Sequence, residues 1–305
     1  MKTFFVVNPK SANGATGKRW GELAALIART LSDFGVEFTK GEMDAMHIAR
    51  AAIKNGYECI VAVGGDGTIN EVVNGFFEDG KAINPQAALG VLPRGTGGDF
   101  RKTFDWDLDS EAAIKRLKTP DTRPLDVGLL EFRGRDGGMH RRYFANICSF
   151  GVSGLVDQEV NTTSKLFGGT VSFMLGSLKA LSKYRDQKVR VSFDDGPVEA
   201  LDVTTLSVAN GKYFGGGMKV APDADVSDGI FDVTVWSGYG LSDFVIKSQG
   251  VYSGAHVNWK GTRTLRAKKV HAESDEQVLI DCDGEQPGSL PCTMTILPAA
   301  IRLKV

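Results

Sequence analysis

The residues best suited to chemistry lie in a glycine turn between an apolar strand and a helix. Ile60–Val63 is a continuous apolar run, Gly64–Thr68 reads Gly-Gly-Asp-Gly-Thr, and apolar residues then recur at helical spacing. Free backbone N–H groups and the positive end of a helix dipole meet at such a turn, and phosphate is their natural ligand. Asp66 is the carboxylate of the turn, where it can serve as an oxygen ligand for a magnesium ion. The stretch predicts a phosphate site, with an ordinary α/β turn as the alternative.

Further loops combine polar residues with glycine. Asn8–Gly14 leaves the first apolar run and Pro93–Asp99 leaves a later one, so both can donate hydrogen bonds to phosphate groups. A third loop, Asn210–Met218, contains three consecutive glycines. Each loop is weak evidence alone, because ordinary turns have the same composition.

Two acidic turns are also candidates. Asp223–Gly229 opens a predicted strand, and its carboxylates and carbonyls can hold a hard cation. Asp281–Glu285 places carboxylates on a tight turn between two predicted strands. A solvated turn is the alternative for both, since most Asp-Gly hairpins are only turns.

The elements that position these loops alternate between strand and helix in the first part of the chain. This order implies a parallel sheet with right-handed crossovers. Ligands bind at the carboxyl ends of such strands, where the Asn8, Gly64 and Pro93 loops begin. The predicted strands are Thr3–Val7, Val36–Thr39, Glu58–Val63 and Ala88–Leu92, and the predicted helices cover Ala45–Lys54, Thr68–Phe77 and the apolar positions Trp20, Leu23, Ile27, Leu31 and Phe34.

Strand-like runs dominate after Asp121–Pro124, which predicts a second, β-rich domain and an active site in the cleft between the domains. We place the boundary between residues 122 and 123, giving domains 1–122 and 123–305. Two predicted helices interrupt the strands, at Leu166–Tyr184 and Leu241–Ser253. The predicted strands are Leu125–Phe132, Tyr143–Phe150, Lys188–Phe193, Val198–Asn210, Gly229–Trp236, Gln277–Asp281 and Cys292–Leu297.

Composition narrows the class of protein. The 305 residues are 42% hydrophobic and 24% charged, as expected for a globular protein with a sizeable core. A net charge of -1 gives no global attraction for nucleic acid. No run approaches the ~20 apolar residues of a membrane helix. The four cysteines are scattered, which favours reduced thiols over a zinc site or disulfides.

Taken in order, the motifs resemble those of the diacylglycerol kinase catalytic-domain family, a group of lipid kinases that also contains the sphingosine and ceramide kinases. NPxSxxG, GGDGTxNEVxNG, LPxGTxxDF, NGxYxGGGMxxAPxAxxxDG and DGE span Asn8 to Glu285. The resemblance implies a fold of α/β plus β class: a doubly wound nucleotide-binding domain, then a β-sandwich-like domain whose C-terminal strand packs back near the first. Gly98 is a departure, because the family commonly has Asn there.

The resemblance also implies roles for particular residues. Glu285 corresponds to the proposed general base, with Asp283 beside it, and Asp66 would help to place metal and phosphates. A structural magnesium ion would be held by the Asp228 side chain and the carbonyls of Asp225 and Ile230. The residues expected to bind ATP are Asn8, Pro9, Thr39, Gly64, Gly65, Asp66, Gly67, Thr68, Ile69, Asn70 and Thr96.

The expected function is transfer of the γ-phosphoryl group of ATP, with Mg²⁺, to a hydroxyl of diacylglycerol or a related lipid. A sphingoid base or ceramide kinase, an NAD-kinase-like enzyme with a soluble substrate, and a non-catalytic binding protein are the alternatives. The lipid tail would need an apolar groove, expected near the Leu166–Tyr184 helix. We expect a cytoplasmic protein with peripheral membrane association and no nucleic-acid partner, and the prediction leaves room for a homodimer.

Overall fold

The first part of the chain folds as a parallel sheet between two layers of helices. The computed structural model describes residues 1–95, 97–156 and 184–305. The strands of this part are β1 (Thr3–Val7), β2 (Phe34–Phe38), β3 (Cys59–Gly64), the short pair β4 (Phe77–Glu78) and β5 (Lys81–Ala82), and β6 (Ala88–Pro93). The helices are α1 (Ala15–Lys18), α2 (Trp20–Thr30), α3 (Asp44–Lys54), α4 (Asp66–Gly75), α5 (Asp99–Lys102) and α6 (Ser110–Lys118).

Both faces of this sheet are buried. The strands lie in the order β6, β3, β1, β2, and neighbours are parallel. Successive side chains of a strand point to opposite faces. Accordingly Val6 packs in the apolar cluster with α3 and α4, whereas Phe5 and Val7 pack in the cluster with α2 and α6. Helices on both faces confirm the doubly wound architecture.

The second part is built mostly of antiparallel strands. Its helix is α7 (Leu241–Ser253), as predicted, followed by a 3₁₀ turn at Ala255–Asn258. Its strands are β7 (Thr122–Gly134), β8 (Met139–Phe144), β9 (Ile147–Gly151), β10 (Gln187–Phe193), β11 (Glu199–Val203), β12 (Thr205–Ala209), β13 (Phe231–Trp236), β14 (Thr262–Ala267), β15 (Lys269–Glu273), β16 (Ile280–Cys282) and β17 (Gly288–Lys304).

Two sheets of the second part pack face to face. One has the order β14, β13, β12, β9, β16, and the other contains β11, β10, β15, β17, β7 and β8. A buried apolar cluster fills the space between them, with Phe144, Phe150 and Phe231 among its largest members. This arrangement confirms the β-sandwich-like class predicted for the second part.

Strand β17 joins the two parts into one sheet. It pairs antiparallel with β7 and β15, and at its end Arg302 and Leu303 pair parallel with Ala88 and Leu89 of β6. The last strand therefore packs back on the first part of the chain. The boundary between residues 122 and 123 stays a prediction, because the sheet is continuous across the two parts.

Several predicted elements differ in extent from the observed ones. The run Tyr143–Phe150 contains two strands, β8 and β9, because the N–H groups between them bind a side chain instead of a neighbouring strand. The run Val198–Asn210 is divided at Thr204, where the chain passes from the sheet that contains β10 to the sheet that contains β13, and Thr204 N donates to Trp236 O at 2.8 Å. Helix α2 ends at Thr30, and Phe34 begins strand β2.

Other differences concern elements that the sequence pattern left out. Strands β14 and β15 were not predicted, and the predicted Cys292–Leu297 is the middle of the 17-residue β17. The predicted Leu166–Tyr184 helix lies outside the described residues except for Tyr184. In the described part of the chain, no helix is both long and apolar enough to cross a membrane. The four cysteines are free thiols, and all are buried.

Candidate active site

A cavity of about 370 Å³ lies between the two parts of the chain, as the predicted interdomain cleft requires. Carboxylates from both parts line it. Asp66 and Asp99 come from the first part, Asp281 comes from β16, and Asp283 and Glu285 come from the turn after it. The structure therefore brings Asp66, Asp283 and Glu285, predicted from distant motifs, to one cavity.

Asp66 fastens the glycine turn to the loop after β6. Its carboxylate accepts hydrogen bonds from Asp99 N at 3.0 Å and Phe100 N at 3.2 Å, at the start of α5. Burial, followed by the negative charge of Asp99, raises the pKa of Asp66 to about 6. An acid with such a pKa ionises fully when a cation comes close, because an opposite charge favours the charged form.

Asp99 joins the same loop to the second part of the chain. It is only 7% exposed, accepts a hydrogen bond from Gly216 N at 2.7 Å and pairs with Lys102 Nζ at 2.9 Å. Gly216 belongs to the Asn210–Met218 loop, so two motifs meet at this carboxylate. Gly98, the departure from the family pattern, has a φ of +60°, a left-handed conformation that glycine adopts without strain.

Asp283 is held by backbone donors. Its carboxylate accepts hydrogen bonds from Asn146 N at 3.2 Å, Ile147 N at 2.9 Å and Ala145 N at 3.2 Å, and from Asn70 Nδ2 at 2.9 Å. Burial raises the pKa of Asp283 to about 6, while these donors oppose the rise. Because its oxygens are occupied in this way, Asp283 serves as an anchor of the turn.

Glu285 lies two residues further along the turn, at the edge of the cavity. Cys282 N donates to Glu285 O at 2.8 Å, and Glu285 N donates to Cys282 O at 3.2 Å, so the backbone fixes the turn. A Cβ atom added to Gly67 would lie only 3.2 Å from Glu285 Oε1. The Glu285 carboxylate therefore faces the first turn of α4, where the helix dipole attracts negative charge.

The predicted nucleotide loops lie side by side. They follow β6, β3, β1 and β2, which are neighbours in the sheet. Asn8 Nδ2 donates to Thr68 Oγ1 at 3.1 Å and so joins the first two loops, and Thr39 N donates to Val7 O at 2.9 Å. Pro9, Gly64, Gly65 and Gly67 lie in the same loops, whereas Thr96 lies outside the described residues.

Two of the residues predicted to bind ATP point into the protein. Ile69 is 4% exposed and packs in the core with α3, and Asn70 is fully buried. The Asn70 amide donates to Tyr143 O at 2.9 Å and to Asp283. The whole predicted set stays a prediction.

Apolar side chains form the rest of the cavity wall. The sequence pattern indicates Phe214 and Met218 only as members of a glycine loop, and it contains no signal for a role of Trp236, Tyr239 or Trp259. These five residues line the cavity together with Val152, Val156 and Val251. Trp236 ends β13, and Tyr239 and Trp259 lie before and after α7, so strand pairing had to be known before these three residues could be placed together.

The predicted magnesium turn lies on the outside of the second part. Asp225 Oδ1 accepts from Ser227 N at 3.0 Å and Arg123 Nη2 at 3.1 Å, and Asp228 pairs with Arg266. Ile230 N donates to Asp228 Oδ1 at 3.2 Å. Across the described residues, no three His, Cys, Asp or Glu side chains form a ready metal cage. An ion bound at this turn would have to replace Arg266 as the partner of the Asp228 carboxylate. The magnesium site stays a prediction.

We expect Mn²⁺ to bind at this turn and Asp228→Asn to abolish the binding, because the variant loses the charged ligand. Asp225→Asn is the matched control. It makes the same chemical change but keeps the backbone carbonyl that is the predicted ligand, so it should retain the ion. Anomalous diffraction from manganese-soaked crystals measures both. Wild-type crystals with no manganese peak at the turn would contradict the prediction.

A glycine-loop sheet joined to a β-sandwich, with carboxylates and an apolar cavity between them, is the architecture of a two-part kinase. The chain matches the diacylglycerol kinase catalytic domain over residues 2–130 and the YegS C-terminal NAD kinase beta sandwich-like domain over residues 146–305. The protein belongs to the diacylglycerol kinase catalytic-domain family and is an enzyme of the lipid kinase class.

Known proteins are similar to this chain over nearly its whole length. The diacylglycerol kinase of Mycobacterium tuberculosis is 27% identical over 99% of this chain and 94% of its own. That of Bacillus subtilis is 27% identical over 94% of this chain and 90% of its own. A solved diacylglycerol kinase from Bacillus anthracis has a TM-score of 0.70 at 23% identity, covering 99% of this chain and 96% of its own. An ATP complex of an NAD kinase from Archaeoglobus fulgidus has a TM-score of 0.51 at 13% identity, covering 100% and 94%. The two structural likenesses show the fold.

Proposed function

We propose that this kinase transfers the γ-phosphoryl group of ATP to the hydroxyl of diacylglycerol or a closely related lipid. The observation that carries the proposal is the cavity, whose wall combines apolar and aromatic side chains with Glu285, Asp66 and Gly67 of the glycine turn. An alkyl chain gains free energy in such walls, at about 25 cal/mol per Å² of buried apolar surface. A soluble sugar or nucleotide acceptor would gain little from them.

Glu285 is the residue proposed to take the hydroxyl proton. It lines the cavity and faces the first turn of α4, the turn expected to meet the phosphates. A hydroxyl is a poor nucleophile unless a base removes its proton as it attacks. The N–H groups of the glycine loops would hold the transferred phosphoryl group, and catalysis would rest mainly on position and charge.

The carboxylates at the cavity fit a nucleotide with bound Mg²⁺ better than a nucleotide without a metal ion. Asp66, Asp99 and Asp283 repel one another, and their mutual charge contributes to the raised pKa of Asp66. Mg²⁺ is usually held by one or two carboxylates together with phosphates and water. Asp66 would supply such an oxygen, and bound Mg²⁺ would neutralise charge that develops on the phosphates.

The acceptor of such a kinase lies in a bilayer, so the enzyme would work as a peripheral membrane protein on the cytoplasmic side. Exposed apolar or basic side chains near the cavity would make a transient contact. Association that survives carbonate washing and requires detergent for release would contradict this part of the proposal. A homodimer stays a prediction.

The test of the proposed function is transfer of label from γ-labelled ATP to a panel of acceptors, with chromatography of the products. The panel contains diacylglycerol, a sphingoid base, ceramide and NAD, each in matched detergent micelles, with ATP alone as the blank. Label in phosphatidic acid supports the proposal. Label confined to the sphingoid lipids or NAD would replace it with that alternative, and no labelled product would remove it.

We expect Asp66→Asn to lower the kinase rate about 100- to 1,000-fold, the usual cost of losing one group that stabilises transition-state charge. The amide would also turn an N–H group toward Asp99 N or Phe100 N, each of which now donates to the carboxylate. The exposed Asp79→Asn makes the same chemical change on a surface turn and should keep the wild-type rate. Near-normal turnover by Asp66→Asn would remove Asp66 from the mechanism.

A further inference from the structure

Asn74, in the NEVxNG part of the glycine motif, pairs with the edge of β8. Its Oδ1 accepts from Tyr143 N at 2.8 Å, and its Nδ2 donates to Tyr143 O at 2.8 Å. A side-chain amide has the donor and acceptor of a peptide group, so Asn74 bonds to Tyr143 as a neighbouring strand would. Asn74 is only 5% exposed, and the Phe77 ring stacks on Tyr143 at 3.9 Å. Helix α4 is thus fastened to β8.

Asn70, one turn earlier on α4, extends this connection to the Asp-Gly-Glu turn. Its Nδ2 donates to Tyr143 O and to Asp283 Oδ2, each at 2.9 Å, and its Oδ1 accepts from Arg142 Nε at 2.9 Å. The residue is fully buried. One amide therefore joins the helix, strand β8 and the anchor of the turn.

These contacts join α4, β8 and the Asp-Gly-Glu turn in a closed circuit, and Glu285 lies where the turn faces α4. Asp283 accepts from Asn70 and from the N–H groups that follow β8, and two residues later Glu285 faces Gly67 at the start of α4. Gly67 and Asn70 are three residues apart, about 4.5 Å along the helix axis. Helix α4 therefore contacts the turn at two points, and the pairing of Asn74 with β8 closes the circuit.

We propose that Asn74 and Asn70 are positioning residues, which hold the Glu285 carboxylate at its distance from the first turn of α4. The proposal rests on the proposed role of Glu285 as the base. Removing the Asn74 amide leaves Tyr143 N without its acceptor and Tyr143 O with only the Asn70 amide as a donor, and a buried backbone N–H must then shift to find another partner. The strand edge, the N–H groups after it, Asp283 and Glu285 would follow that shift.

We expect loss of the Asn74 amide to slow the chemical step, the transfer of the phosphoryl group. A displacement of about 1 Å in a reacting group can lower a rate about 100-fold. The circuit includes Gly67 and Asn70 of the predicted ATP-binding set, but Asn74 is not a member of that set, so loss of the Asn74 amide should leave ATP affinity unchanged. A change in kcat with unchanged ATP affinity separates a positioning residue from a nucleotide ligand.

The test compares Asn74→Ala with Val72→Ala. Val72 lies on the same helix, is fully buried in the core, and has an aliphatic side chain that makes none of the hydrogen bonds of the circuit. We expect Asn74→Ala to lower kcat about 10- to 100-fold and Val72→Ala to stay within about threefold, with ATP affinity and lipid KM within about threefold in both. Equal kcat values in the two variants, or a parallel loss of ATP affinity in Asn74→Ala, would overturn the proposal.

Hydrogen exchange measures the circuit without any activity. The amides of Ala145, Asn146 and Ile147, which donate to Asp283, should exchange faster in Asn74→Ala and at the wild-type rate in Val72→Ala. Unchanged exchange of these amides in Asn74→Ala would refute the proposal, even if the wild-type protein phosphorylates lipid. If the wild-type protein phosphorylates no lipid, the proposed function fails. The exchange rates still show whether Asn74 holds the N–H groups that donate to Asp283. Asn74→Ser, which keeps a hydroxyl at the site, replaces Asn74→Ala in both measurements if the alanine variant does not fold.

Discussion

Glu285→Gln should lower the rate of lipid phosphorylation about 100- to 10,000-fold, the usual contribution of a general base. Glutamine keeps the shape of glutamate but does not accept a proton at neutral pH. The turn should survive the change, because it is fixed by the backbone hydrogen bonds between Cys282 and Glu285. The nucleotide loops belong to the other part of the chain, so ATP affinity should be preserved.

Calorimetric titration with ATP and the rate of lipid phosphorylation, measured on the same preparation, check this prediction. Glu276→Gln is the matched control, because it makes the same change to an exposed side chain that does not line the cavity. It should behave as wild type in both measurements. A Glu285→Gln enzyme that keeps more than about a tenth of the rate would retain too much activity to have lost its base.

Asp283→Asn should lower the free energy of unfolding by about 2–4 kcal/mol, because hydrogen bonds to a buried charged group are worth about 1.5–3 kcal/mol each. An amide in place of the carboxylate offers one oxygen, and its NH₂ group opposes backbone N–H groups that now donate to Asp283. Relief of the cost of burying the charge offsets part of the loss. Urea denaturation measures the difference.

Asp194→Asn is the matched control for this change. The Asp194 carboxylate also accepts backbone N–H groups, from Lys268 at 2.7 Å and Lys269 at 2.9 Å, but it is exposed. Water can replace those bonds, so the loss should be below about 1 kcal/mol. Equal losses in the two variants would mean that burial of Asp283 does not strengthen its hydrogen bonds.

The difference between wild type and Asp283→Asn should depend on pH. The pKa of Asp283 is about 6 in the folded protein and 3.8 for an ordinary aspartate. Between these values the folded state binds a proton that the unfolded chain does not bind, so this group adds stability as pH falls. Asparagine lacks this titration. The stability gap should widen as the pH is lowered from about 7 to about 5, and a gap that narrows would contradict the assigned pKa direction.

The strand and helix pattern of the first part could be predicted because it is local. The apolar run Cys59–Gly64 and the helical spacing after Gly65 follow from side-chain types within a few residues. Parallel strands then place their loops at one edge of the sheet by a topological rule. The sequence predicted the proximity of the Asn8 and Gly64 loops in this way, and the bond between Asn8 and Thr68 agrees with it.

The extent of β17 could not be predicted, for a physical reason. Pro291 and Pro298 interrupt the pattern and indicate strand ends, since proline cannot donate to a sheet. The pairing with β7 instead contains irregularities between Ser289 and Cys292 and between Leu297 and Ile301, beside these prolines. A pairing partner more than 150 residues earlier in the chain decides whether such a strand continues.

The sequence by itself determined the class of the two parts, the family and the carboxylates that carry the proposed chemistry. Only the tertiary structure decided what those carboxylates contact. Asp66 accepts from Asp99 N, and Asp283 accepts from Asn70 across 213 residues of sequence. Periodicity reports which face of an element is apolar, but a hydrogen bond depends on distance and angle between elements. The sequence predicted Asn70 as a nucleotide ligand and indicated no role for Asn74. For that reason the hydrogen bonds of Asn70 to Asp283 and of Asn74 to Tyr143 could be identified only from the fold, which brings the two motifs together.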